Sequence, residues 1–154
     1  MAGRSDVREK KGNYNKEEVK NAMCKIGDII LIERYKDRGK TLGRHSFVVV
    51  DDQDGEIHGL PYDMVCNVFS SFKSEEQRKR KLNYPGNFPI ANEDTNTKPN
   101  NGKSGYIKTD QLYFFNKNKI EYTVIGNIQP DILELVLEFI NTSNFEVVPI
   151  LTNL

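Results

Sequence analysis

The sequence predicts a mainly β domain with helices, an α+β fold in which short strands build a small barrel and a C-terminal amphipathic helix packs on it. Three features carry the prediction. Short runs rich in Val, Ile, Phe and Tyr are punctuated by Gly, Pro, Asn and Asp turn signals, and a single stripe of helical period appears late. At 154 residues there is room for one domain with one core, plus a tail or long loop.

Residues 1–14 are polar and charged and read as disordered. Asn15 with Glu18 forms a capping-box pattern that opens a short helix over 16–23, and Gly27 ends it. Residues 1–24 are therefore a flexible N-terminal segment with a short helix, and 25–154 the barrel domain. Ile29–Ile32 is a β-branched run short enough to be a buried strand. The stretch 34–44, charged and bearing two glycines, reads as an exposed hairpin loop. Phe47–Val50 is the second strand, stopped by Asp51-Asp52 and the Asp54-Gly55 turn signal, with Glu56–Leu60 continuing the hairpin.

Tyr62–Phe69 is the third strand. Ser74 and Gln77 form an S-x-x-Q capping box for a short basic helix reaching about Lys81. Pro85-Gly86 makes a turn before a short strand at Phe88–Ala91. Asn92–Ser104 is a long polar loop read as flexible. Gly105–Phe115 and Glu121–Ile125 are further strands. Pro130 suits the first turn of a helix and Asp131 complements its N-terminus. Ile132, Leu133, Val136, Leu137 and Ile140 form its apolar stripe, opposite Asp131, Glu134, Glu138 and Asn141. Phe145–Ile150 is an edge strand in which Pro149 is tolerated.

The 22 basic and 22 acidic side chains balance, so net charge gives no argument for a nucleic-acid partner. Their distribution does. Basic residues gather in 34–44 and 73–81, acidic ones at 51–56 and along the last helix, a segregation that can present a phosphate-attracting face. Cys24 and Cys66 are too few for a disulfide framework and lack metal-ligand spacing, so they read as buried or semi-buried free thiols in a reducing cytosol. The N-terminus has no apolar core of a signal peptide, and no run approaches the ~20 apolar residues of a membrane span. The expectation is a soluble, cytoplasmic protein without membrane association.

Five blocks, in order, resemble the PemK/MazF toxin family, whose SH3-like barrel is shared with the CcdB toxins. They are KIGDIILIE (25–33), GRHSFVVVDD (43–52), MVCNVFSS (64–71), GYIKTDQLYFFNKNKI (105–120) and IGNIQPDILELVLEFI (125–140). Two departures stand out: His45 replaces the family's usual proline after the arginine, and 74–104 is longer than in a minimal member. The resemblance implies a toxin of a toxin–antitoxin system, an endoribonuclease that cuts single-stranded RNA without metal or cofactor. It also implies a homodimer and a cognate antitoxin whose acidic, apolar disordered tail occupies the RNA groove.

In that chemistry a ribose 2′-OH attacks the adjacent phosphorus. The reaction needs a proton acceptor, positive charge beside the phosphorane oxygens and a donor to the leaving 5′-oxygen. The resemblance places the catalytic arginine at Arg44 and the catalytic hydroxyl at Ser70, with Ser71 in reserve. The plainer alternatives are a surface arginine paired with Asp51 or Asp52, and serines serving ordinary turn chemistry. His45 is of the residue type suited to proton transfer near neutral pH, but alternation turns it away from the face of Arg44. His58 reads as a surface loop histidine. Lys40, Lys73, Arg78, Lys79 and Arg80 are candidates to track the RNA backbone, against the reading of a solvated helix face. Among the aromatics Phe69, Phe72, Tyr84 and Phe88, some are candidates for base stacking and others for the core. Gln111 has a supporting role. Two other classes compete, a CcdB-like protein-binding toxin and a non-catalytic RNA- or protein-binding barrel.

Overall fold

The computed structural model describes residues 24–37, 40–52, 62–97 and 104–151. Among these residues eight strands form one mainly antiparallel sheet, and two helices accompany it, an α+β arrangement. The strands are β1 (Asp28–Asp37), β2 (Lys40–Asp52), β3 (Met64–Ser71), β4 (Asn87–Ile90), β5 (Thr95–Thr97), β6 (Gly105–Phe115), β7 (Thr123–Ile128) and β8 (Val148–Ile150). The helices are α1 (Glu75–Leu82) and α2 (Pro130–Asn141). The spatial order is β4-β6-β3-β2-β1-β7-β5, and β8 pairs with β6 in parallel. No helix among the described residues is long and apolar enough to cross a membrane.

The connectivity forces the sheet to bend. β4 and β5 stand at opposite ends of the strand path, yet only 91–94 lies between them in the chain. A flat sheet of that order would hold its end strands roughly 29 Å apart at the usual strand spacing. The steps from Ile90 to Thr95 reach about 19 Å at most. The sheet must therefore curl its ends toward each other.

Both faces of the sheet are covered, which explains the unbroken Ile-Ile-Leu-Ile run of β1. Ile30 and Ile32 enter one cluster with Tyr35, Phe47, Met64 and Phe115. Ile29 enters the other with Val48, Ile107 and Val136, where α2 packs through Ile132, Leu133 and Ile140. The polar residues predicted for the opposite side of α2 are all exposed. Its first-turn proline and its apolar stripe are as the sequence predicts.

Elsewhere the strands outrun their predicted lengths. β1 continues through Asp37 and β2 begins at Lys40, so most of the stretch read as an exposed loop is a paired hairpin. Backbone pairing wins there over local charge and glycine content, which signal solvent exposure and not the absence of a ladder. Gly27 sits at φ 94°, and its turn joins β2 to β7: its N–H donates to Val49 O and its carbonyl accepts from Ile128 N. The front of the predicted 92–104 loop is also ordered, as a 3-10 turn at Asn92–Asp94 and strand β5 paired with β7. β7 runs Thr123–Ile128 and the last strand shortens to Val148–Ile150. The expected 16–23 helix, the Asp54-Gly55 turn, Glu56–Leu60 and His58 lie outside the described residues.

Candidate functional site

A groove of about 640 Å³ opens where β2 and β3 part, lined by Arg44, His45, Ser46 and residues 68–73. Strand pairing explains its position. The β2–β3 ladder runs from Asp52↔Met64 to Ser46↔Phe69. Beyond Ser46, β2 follows β1 through Ile32↔His45, while β3 follows β6 through Ser70↔Tyr106 and Ser71↔Gly105. The two strands thus fork, each held by its outer neighbour. Their diverging ends face one another across the groove.

Extending the β2–β3 register by one and two steps sets His45 level with Ser70 and Arg44 level with Ser71. Burial follows the same division, with His45 and Ser70 half-buried and Arg44 and Ser71 exposed. Arg44 and Ser70, expected to meet, line one groove, but register aligns Arg44 more directly with the reserve serine. His45, expected to turn away, lines it too. Alternation still holds; the fork brings both side-chain rows to one opening.

Arg44 Nη2 lies 3.2 Å from Glu33 Oε1, one step past the Ile32↔His45 pair. Its carboxylate partner is therefore Glu33 of β1, while Asp52 takes Lys117. His45 packs its ring at 5.3 Å from Tyr35 and 6.4 Å from Phe47, centroid to centroid. Its Nδ1 is 3.4 Å from Gly43 O.

At the far end of the groove the chain turns into α1. Ser74 Oγ accepts from Gln77 N at 3.0 Å, and Gln77 Oε1 accepts from Lys73 N at 2.6 Å, so the predicted capping box also fixes the backbone at Lys73. Asn87 Nδ2 donates to Lys81 O at 2.8 Å and ties the other end of α1 to β4. The helix buries none of its residues; Arg78, Lys79 and Arg80 are exposed. Arg78 lies 5.8 Å from the Phe72 ring centroid and 3.6 Å from Glu75. Phe72 in turn packs on Tyr106 at 5.2 Å.

Of the aromatic candidates, Phe69 and Phe72 line the groove, Tyr84 is exposed, and Phe88 packs on Phe139 of α2. Gln111 lies elsewhere, opposite Val148 of β8, with its side chain accepting from Tyr113 Oη at 3.3 Å. The side chain of Lys40 lies outside the described residues. Glu33 and Ser46 escaped the sequence reading; a β1 strand extended past Ile32 would have set Glu33 against Arg44.

No family model matches the chain, and no curated protein matches it in sequence.

Proposed function

We propose that this chain is an endoribonuclease toxin of the PemK/MazF type, acting on single-stranded RNA by 2′-OH attack without a metal. One observation carries the reading: Arg44, Ser70 and Ser71, drawn from two different strands, border a single open groove with Lys73 at its end. An arginine there offers planar donors to the scissile phosphate, and the serine hydroxyls add hydrogen bonds as charge builds on the phosphorane oxygens. The 2′-oxygen bonds to phosphorus and the 5′-oxygen leaves, giving a 2′,3′-cyclic phosphate and a free 5′-hydroxyl. Exposed cations of α1 extend the positive rim along which a strand of RNA would lie. A bent sheet whose end strands are linked through the short 91–94 connection is in keeping with a small SH3-like barrel. Homodimerisation, a cytoplasmic setting and neutralisation by an acidic antitoxin tail belong to the same reading.

Cleavage of mixed-sequence RNA in EDTA tests it. Cutting by the wild type that disappears in Arg44→Ala and falls in Ser70→Ala or Ser71→Ala, with the fold intact, is the expected result. Undiminished cutting by Arg44→Ala would reject the site. A second reading, a barrel that binds RNA without cutting it, draws on the Arg44–Glu33 ion pair, which occupies the guanidinium. Binding with no cleavage by the wild type would favour that alternative.

A further inference from the structure

The reaction needs a group to take the 2′-proton, and the residues lining the groove narrow the choice. A guanidinium keeps its charge and an ammonium has no acceptor site. Serine hydroxyls are too weakly basic for the task. Among the described lining residues, His45 alone carries a side chain suited to accept a proton near neutral pH.

We propose that His45 is the general base of the reaction, working beside Ser70, while Arg44 and Ser71 form the phosphate-holding flank. The inference rests on the endoribonuclease reading. Its geometric support is independent of the resemblance, which has proline at this position. Register extension sets His45 across from Ser70, and both are half-buried at the same opening. The imidazole packs against the buried rings of Tyr35 and Phe47. Nδ1 faces the Gly43 carbonyl at 3.4 Å, an acceptor that favours the tautomer with the proton on Nδ1. Nε2 then keeps its lone pair. In the step, the 2′-O–H bond breaks toward Nε2 as the 2′-O–P bond forms, and the resulting imidazolium is a proton source for the departing 5′-oxygen. The ionisable groups around the ring are Tyr35 of β1, itself packed on Tyr113 of β6, and along the rim Arg44 with Glu33, and Lys73.

The test uses the full chain, mixed-sequence RNA and a 2′-deoxy-substituted oligonucleotide that cannot be cut. His45→Gln is expected to bind the uncleavable oligonucleotide within about twofold of wild type, while cleavage falls about 10²–10⁴-fold. The acidic limb of the wild-type kcat/KM profile should vanish in that variant. Added imidazole should restore cutting by His45→Gly, a readout that stands even if His45→Gln folds poorly. Wild-type cutting that persists in His45→Gln with the same acidic limb would overturn the role of His45 and leave the function standing. A wild type that cuts no RNA would overturn both.

Discussion

Arg44 and Glu33 meet across the β1–β2 hairpin at 3.2 Å, with 70% and 64% of their side chains exposed to solvent. An ion pair so exposed contributes little to stability, about 0–1 kcal/mol. Its consequence is for ligands. A phosphate reaching Arg44 must compete with a carboxylate already there. Glu33→Gln should therefore tighten binding of an uncleavable single-stranded oligonucleotide by up to about fivefold, the ratio that ~1 kcal/mol represents. Fluorescence anisotropy checks it. The gain should shrink as salt is raised, and the urea midpoint should barely move. Binding unchanged at low salt would remove Arg44 from the ligand surface.

Asn67 should be a stability determinant out of proportion to its size. Between Cys66↔Tyr113 and Val68↔Lys108 it stands alone on β3 against the four residues Thr109–Leu112 of β6. Its Nδ2 bridges the gap, donating to Lys108 O at 3.1 Å and Gln111 O at 2.8 Å. Its Oδ1 is buried without a partner among the described residues, so the donors are what matter. This bulge divides β6, whose first half pairs with β4 and whose second half pairs with β8. Asn67→Ala would remove the donor from two part-buried carbonyls and should cost about 1–3 kcal/mol in urea unfolding. Asn67→Asp, which exchanges the donor for an acceptor, should fare no better.

These two residues mark where sequence reading succeeds and where it stops. The helix at 130–141 was legible because a proline start and a 3.6-residue stripe are local signals. So was Gly105–Phe115, which alternates and then turns aromatic. The bulge at Asn67 was not, because it depends on a partner strand more than 40 residues away, and nothing near Asn67 encodes the offset. The site was legible in part. Arg44, His45, Ser70 and Ser71 were nominated from sequence, but their pairing across the fork needs the register of three strands together. Glu33 was missed because the 34–44 charges masked the extension of β1.

The two cysteines should behave as inert thiols. Cys24 is 6% exposed, with Sγ 3.6 Å from Met64 Sδ, and Cys66 is fully buried. Burial pushes Cys24 up to about 11 and holds Cys66 well above the usual thiol range, so little thiolate forms at mildly alkaline pH. An aromatic disulfide reagent should label neither thiol of the folded protein except through opening of the structure, at least about a hundredfold slower than in concentrated guanidinium chloride. Rapid native labelling of Cys66 would contradict this packing.

Lys117 gives the fold an alkaline limit. Its side chain is 10% exposed and ion-paired with Asp52, itself 16% exposed. Burial pulls the ammonium down, but the Asp52 hydrogen bond and charge, with Cys24 and Asp63 adding, leave it above the usual lysine range. A cation held above its unfolded value stabilises fully below the ordinary lysine range. That contribution is lost as pH rises through the folded value, because the unfolded chain sheds its proton first. The Lys117 contribution should thus hold level through neutral pH and fade on the alkaline side of the normal lysine range, after the buried thiols of Cys24 and Cys66 have begun the wild-type decline from the ordinary thiol range. Asp52→Asn removes the main partner and leaves desolvation opposed only by the weaker influence of Cys24 and Asp63. At neutral pH it should cost about 3–5 kcal/mol, and the alkaline decline should begin at lower pH. Pairing Asp52→Asn with Lys117→Met should recover much of that loss, since no buried charge is then left uncompensated. Urea unfolding of the three proteins at neutral and alkaline pH measures each step. If Asp52→Asn unfolds like wild type at both, the pair carries no such weight.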